Sequence, residues 1–369
     1  MFIYYFIILI CIEVYWIISV VNKRYCILNN NIKTSNLVKR NKFYFILISI
    51  LMIVVIGCRD KTIGIDTMNY YNNFNRYTLK NDFKGYALET FNILEVNNID
   101  EPGYVILKII FNKLSLNFQI FLIAMGILYI SIITYYIYFY SKSPCFSYII
   151  FIAFGYFSFS LSAIRQTIAM SITMIAFIFA LKKKIIPFII TVLIASSIHT
   201  TAIIFLPAYF VTKFKVNKKS LLFFILLSIT LIVMKQPIIN VLNEHARLSY
   251  ELVPTGGNMM YIFFIITALL GLIFNKQKYE GSKKNNPFLC MMLITVAIFP
   301  ITKFNPAVFR LHYYYSIFMI IYIPNMLANI INKSIKNIGY TAYAFLMMYM
   351  FFLQSDYVQL KIAPYSFFL

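Results

Sequence analysis

Charge is scarce in this chain, and negative charge is scarcest: only 12 Asp and Glu occur among 369 residues. Charged side chains make up 12% of the sequence and apolar ones 61%. A soluble domain carries about 25% charged residues, so a soluble globular fold is excluded. Cysteine is sparse as well. Cys11, Cys26, Cys58, Cys145 and Cys290 form no CxxC pair and no metal-ligand spacing, which leaves them as small apolar filler. Among the His, Cys, Asp and Glu residues no spacing makes a metal site, so no metal and no cofactor is expected. A Gly-rich nucleotide-binding loop, an internal repeat, a separate soluble domain and a Ser–His–Asp order are all missing.

What the chain does have is a succession of apolar runs along its whole length. In a bilayer the backbone polar groups must pair internally, which leaves helices as the way to cross. The expected fold is therefore all-α: a polytopic integral membrane protein forming one transmembrane domain over 1–369. The runs fall near 2–21, 43–58, 118–140, 146–162, 164–181, 185–197, 200–212, 220–234, 258–275, 287–302, 311–330 and 338–354. That is about 12 spans, several of them short for a core of ~30 Å or re-entrant. The runs 185–197 and 200–212 also read as two half-helices meeting at a turn. The first run, Phe2 to Val21, has no basic segment ahead of it and no small-residue cleavage site, and reads as a retained helix. Segment 103–115 is amphipathic, with Lys108 and Lys113, and reads as interfacial.

The net charge of +21 raises the question of nucleic acid, but the cations sit in short clusters between apolar runs, as in cytoplasmic loops. The loops 22–42, 142, 182–184, 213–219, 276–284 and 333–336 hold 20 of the 33 Lys and Arg and a single acid, Glu280. The opposite side holds ten of the acids. The cation-rich side is cytoplasmic by this count. The block 59–103 and the loop 235–257 then face outward. Seven acids concentrate between Arg59 and Tyr104: Asp60, Asp66, Asp82, Glu89, Glu95, Asp100 and Glu101. The partner implied is the lipid bilayer, and no nucleic acid is.

The rare polar residues also gather outside on this topology. His199, His245 and His312, with Arg165, Arg247 and Arg310, all fall at outer ends of spans or in outer loops. Charged groups at membrane depth are costly and are mostly paired or functional. Ser-Ala-Ile-Arg-Gln (162–166) stands where one span turns into the next, Ser-Ser-Ile-His-Thr-Thr (196–201) at the turn of the short pair, and Phe-Arg-Leu-His-Tyr-Tyr-Tyr (309–315) at the head of a span. Each has a plainer reading. Arg165 and Arg310 serve equally as interfacial anchors, His199 as a helix-turn cap, and His312 with Tyr313 as part of an aromatic belt. His245 and Arg247 fit a solvated surface. Gln166 beside Arg165 favours a polar cavity, because an amide in lipid needs a partner. Asp66 and Glu101 fit either a hydrated loop or a general base for a hydroxyl. Tyr70, Tyr71, Tyr77 and Tyr86 offer faces on which a sugar can stack.

Five pieces resemble the EpsG family, which is related to Wzy-type polysaccharide polymerases: Cys-Arg-Asp…Gly-Ile-Asp-Thr-Met-Asn-Tyr-Tyr (58–71), Glu-Pro-Gly-Tyr (101–104), Ile-Arg-Gln-Thr-Ile-Ala (164–169), Ile-His-Thr-Thr-Ala (198–202) and Phe-Arg-Leu-His-Tyr-Tyr (309–314). They occur in the family's order over roughly 55–330. Ile65 departs from the smaller or polar residue expected before the Asp. The resemblance implies a multi-span protein of the bacterial inner membrane whose site faces the periplasm. The reaction implied joins repeat units of O-antigen, capsule or exopolysaccharide carried on undecaprenyl pyrophosphate. It also implies that Arg59, Asp66, Glu101, Arg165, Gln166, His199 and Arg310 line the site. Arg59, Arg165 and Arg310 would hold the pyrophosphate, because an Arg fork suits phosphate oxygens. Gln166, Tyr70, Tyr71, Tyr104, His312 and Tyr313 would contact the glycan. Asp66, Glu101 and His199 all remain open as the base, with Asp66 favoured for its place beside Arg59 and the Tyr70–Tyr71 pair. A flippase and a chain-length regulator of the same pathway are the expected protein partners.

Two other activities compete with polymerisation. A flippase for lipid-linked oligosaccharide would put charge at mid-membrane and show two related halves, and the sequence has neither. An O-acyltransferase acting on polysaccharide would face an acyl-CoA donor in the cytoplasm, whereas the His and Arg residues here point outward.

The topology makes a direct prediction. In a cysteine-free background, a single cysteine at Asn75 labels from outside the cell and one at Asn285 does not. The reverse pattern inverts the topology and removes the basis for an outer site.

Overall fold

The computed structural model describes residues 2–28, 41–78, 101–114, 117–237, 240, 257–278, 286–302, 306–353 and 361–368. Asp82, Glu89, Glu95, Tyr86, His245, Arg247 and most of the loop 235–257 lie outside the described residues. In chain order the helices are α1 (Phe2–Leu28), α2 (Lys42–Gly57), α3 (Thr67–Thr78), α4 (Pro102–Lys113), α5 (Phe118–Tyr140), α6 (Pro144–Ala153), α7 (Tyr156–Ser162), α8 (Ile164–Leu181), α9 (Ile185–Ile198), α10 (Ala208–Val211), α11 (Lys218–Val233), α12 (Asn258–Lys278), α13 (Pro287–Thr302), α14 (Pro306–Phe309), α15 (Tyr313–Ser316), α16 (Met319–Ala328) and α17 (Lys333–Leu353). Among the described residues there is no β-strand, only an isolated bridge between Arg59 and Phe367.

Among the described residues the fold is all-helical, as expected, with a few long apolar helices and several shorter ones. Phe2–Val21, Phe118–Tyr140 and Ile164–Leu181 are long and apolar enough to cross a bilayer, while Pro144–Ala153 and Tyr156–Ser162 form a pair bent by 48°. The bend falls at Gly155, whose φ of 86° is in the left-handed region that glycine adopts without a Cβ clash. The run 185–212 resolves into α9, a 3₁₀ turn, Thr200–Phe205, and the four-residue α10. The run 311–330 is broken into a 3₁₀ turn, α15 and α16, with Pro324 inside the last. Apolar length alone hid these breaks, because the residues on both sides of each are equally greasy.

Local chemistry sets the helix starts. Asn41 accepts from the Phe43 N–H, and Asn117 accepts from the Ile120 N–H. Asn217 and Ser220 form a reciprocal capping box at the start of α11. Each satisfies an amide that the helix itself leaves open.

The chain divides into two compact units, 1–175 with 190–203 and 341–369, and 176–189 with 204–340. In the first, α2 and α5 lie in close contact. A Cβ on Gly57 would meet the Ile123 Cα at 2.8 Å, so glycine is needed for the backbones to approach, the usual device where lipid supplies no hydrophobic drive between helices. Ser49 and Thr134 pair their hydroxyls across this contact at 2.7 Å, and Thr134 continues to the Tyr148 hydroxyl at 3.0 Å. The C-terminal segment 361–368 returns to the loop that follows α2. Gly64 donates to Lys361 O at 2.8 Å, Asp60 to Ser366 O at 3.0 Å, and Phe368 to Cys58 O at 2.8 Å. Tyr4 in α1 donates to Ile362 O at 3.0 Å.

In the second unit α13 is buried along almost its whole length, with α11, α12 and α16 packed around it. The outer faces are apolar: Leu222, Ile225, Leu226, Ile229 and Val233 on α11 are exposed. Such a surface fits a lipid solvent and would be an aggregation hazard in water.

Candidate functional site

The first unit brings three of the candidate residues together around one carboxylate. Glu101 is the residue before α4, but it makes no side-chain cap there. Its two oxygens turn away instead. Oε2 receives Arg165 Nη1 at 2.6 Å, and Oε1 contacts His199 Nδ1 at 2.7 Å. The glutamate is buried, whereas the Arg165 and His199 side chains keep 29% and 22% of their exposure, so the cluster is closed on the carboxylate and open on the two bases.

Sequence explains why these groups meet. Arg165 is the second residue of α8, just after the α7–α8 break at Ala163. His199 immediately follows α9, where the 3₁₀ turn begins. Glu101 reaches both because α4 starts hard against the end of α9. A Cβ on Gly103 would lie 2.8 Å from the Ser197 carbonyl carbon, so the Gly of Glu-Pro-Gly-Tyr permits the approach. Pro102 fits the first helical turn, where no N–H is needed.

Aromatic rings form the wall. The Arg165 guanidinium carbon stands 5.7 Å from the Tyr70 ring centre and 5.8 Å from that of Tyr104, and the two rings meet edge to face at 5.8 Å. Both tyrosines belong to a buried cluster with Phe74, Phe118, Phe121, Ile164, Ile168 and Ile198. The cations therefore rest on a packed core, which limits how far they can move. Lys108 is fully buried and places its amine 5.0 Å from the Tyr104 ring centre. Sequence reading took this lysine only as part of an amphipathic segment. The spacing 101, 104, 108 lies on one helix face and was the signal for its place beside the site.

Burial raises the Glu101 carboxyl, but the hydrogen bond to His199 and the charge of Arg165 outweigh it and hold it below the usual carboxylate range. An ionised carboxylate only accepts, so His199 Nδ1 is the donor.

The remaining candidates are placed as follows. Asp66 is half-buried just before α3, and its carbonyl accepts from the Tyr70 N–H at 3.0 Å. Gln166 is buried beside Arg165. Tyr71 is packed edge to face on Phe118, with Lys61 over its ring. Arg59 is completely enclosed. Arg310 and Tyr313 are half-buried in the second unit. His312, in the same unit, is buried among the rings of Phe264, Phe299, Phe309 and Tyr313, so its faces are covered by protein. The sequence did not signal the C-terminal segment against the 58–64 loop, since so short a stretch carries no periodic pattern.

An all-helical membrane protein with a carboxylate bridging an arginine and a histidine above an aromatic core is the class the structure defines. The EpsG family model matches residues 42–367, most of the chain, and the protein belongs to that family. The match takes in Glu101, Arg165 and His199 and runs through most of the returning C-terminal segment. No curated protein and no solved structure matches the chain.

The stability that Glu101 contributes is present above the ordinary glutamate value of about 4.3 and is lost as pH falls through its lowered folded value. The gap in thermal stability between the wild type and Glu101→Gln therefore persists at neutral pH and closes below about pH 4. A gap unchanged down to pH 3 contradicts the ion-pair assignment.

Proposed function

We propose that this protein is a membrane glycosyltransferase that joins oligosaccharide repeat units carried on undecaprenyl pyrophosphate at the outer face of the bacterial inner membrane. The observation that carries the reading is Glu101 holding Arg165 with one oxygen and His199 with the other. Membership of the EpsG family supports it.

The chemistry follows from those contacts. A sugar hydroxyl of one unit attacks the anomeric carbon of the other unit's chain. The new C–O bond forms as the bond to the lipid pyrophosphate breaks. His199 Nε2 accepts the hydroxyl proton, and Glu101 fixes the ring and stabilises the imidazolium, a division of labour that needs no perturbed carboxylic acid. Glu101 is thus a positioning residue, because its oxygens are already engaged and its lowered pKa makes it a weak base. Arg165 meets the negative charge that develops on the departing pyrophosphate. Tyr70 and Tyr104 keep the guanidinium plane in place. Asp66, at the head of α3, is assigned to orienting the acceptor rather than to proton transfer. Arg59, sealed from solvent, is left out of the pyrophosphate clamp.

The reading is tested by incubating purified protein in detergent with a synthetic pyrophosphate-linked repeat unit and sizing the products. Longer glycans with release of lipid pyrophosphate are expected. Unchanged substrate, with transbilayer movement of the same lipid in vesicles, would favour a flippase. Arg165→Lys keeps the charge but loses the planar fork. It lowers polymer yield at least about tenfold, since a charged hydrogen bond contributes roughly 1.5–3 kcal/mol. Wild-type yield from that variant at equal protein level reduces Arg165 to an anchor.

A further inference from the structure

The loop between α2 and α3 is pinned by a segment from the far end of the chain. Residues 361–368 run along it, with Phe367 in an antiparallel bridge to Arg59. The Asp60 N–H donates to Ser366 O at 3.0 Å, the Gly64 N–H to Lys361 O at 2.8 Å, and the Phe368 N–H to Cys58 O at 2.8 Å. Two side-chain contacts anchor the segment. The Tyr365 hydroxyl donates to Val55 O at 2.6 Å, in the last turn of α2. Ile362 is fully buried, and its carbonyl accepts from the Tyr4 hydroxyl at 3.0 Å. A strand added in this way is held by main-chain bonds and placed by its side chains.

The pinned loop bears on Arg165 by two routes. Gly64 has a φ of 95°, and a Cβ there would lie 2.9 Å from the Leu161 carbonyl carbon, so conformation and space both call for glycine. Three residues on, the Thr67 hydroxyl donates to Leu161 O at 3.0 Å. Leu161 stands in α7 two residues before the break at Ala163, and Arg165 comes two residues after that break. The second route is α3. It begins at Thr67 and carries Tyr70, whose ring centre lies 5.7 Å from the Arg165 guanidinium carbon. All of these residues belong to the first compact unit. Close packing passes a shift at one such contact to the next.

We propose that segment 361–368 is a positioning strap: by holding Gly64 and Thr67 against Leu161, it sets the place at which Arg165 meets Glu101. Ile362 and Tyr365 are its anchors, and they act through Arg165. The ion pair does not depend on any assignment of activity, whereas the consequence for chain extension rests on the polymerase reading. On that reading Arg165 meets charge that develops as the pyrophosphate leaves. Loss of the strap then lowers kcat and leaves KM nearly unchanged.

The test is a double-mutant cycle on thermal unfolding in detergent at neutral pH. Melting temperatures are compared for the wild type, Glu101→Gln, a variant lacking 361–369, and the two changes combined. If the strap sets the ion pair, the gap between Glu101 and Glu101→Gln shrinks once the strap is gone. If the strap only adds stability, the gap is unchanged and the proposal falls. Should the deletion not fold, Ile362→Ala at the buried anchor takes its place, with the same two outcomes. Chain extension is measured alongside. The deletion is expected to lower kcat at least about tenfold, because a displacement of about 1 Å in a reacting site can cost ~100-fold. Wild-type kcat from the deletion overturns the proposal. Absence of extension by the wild type overturns the polymerase reading, and the melting-temperature cycle still decides the strap.

Discussion

The structure of the first unit depends on one carboxylate held between two bases. Glu101 ties the starts of α4 and α8 and the end of α9 into a single point. The three come from stretches about 64 and 98 residues apart in the chain. An ion pair in the open would contribute little. Here the acid is buried and the bases are partly exposed, so the pair is shielded on the side of the protein and accessible on the other. That asymmetry lets the same contacts serve both as a structural knot and as a reactive surface. Removing the acid would take from Arg165 the carboxylate it meets at 2.6 Å beside the two tyrosine rings.

Close backbone approach makes the knot possible. Gly103 against Ser197 brings Glu101 within reach of His199, as Gly57 against Ile123 brings α2 onto α5. In lipid these contacts replace the hydrophobic drive that packs helices in water. The aromatic cluster of Tyr70, Phe74, Tyr104, Phe118 and Phe121 then fills the space below. It gives the cations a rigid floor, and the returning C-terminal segment holds the 58–64 loop from the other side. Arg59 lies within this arrangement rather than at its surface, which separates its role from that of Arg165.

Much of this was legible in the sequence. Apolar composition gave the all-helical class, and polar residues in a greasy chain picked out Arg165, His199 and Glu101. The turn between α7 and α8 falls where its residues suggested. Three things were hidden. Helix breaks inside apolar runs leave no pattern, so Gly155 divides a stretch that length alone would make continuous. Enclosure is a tertiary property: nothing around Arg59 distinguishes a sealed guanidinium from one at the membrane surface. Pairing across the chain is likewise invisible, so a preference for Asp66 as base rested on its neighbours in sequence. The contact between Glu101 and His199 depends on α4 meeting α9.

The central claim is that Glu101 and His199 act as one device, and a double-mutant cycle on chain extension tests it most directly. Rates would be measured for the wild type, Glu101→Gln, His199→Gln and the double variant, all at matched protein levels in the membrane. If the carboxylate works through the imidazole, the double variant is no slower than the slower single one, because the second change removes nothing that still functions. If the two losses multiply, the residues act independently and the account of the site is wrong.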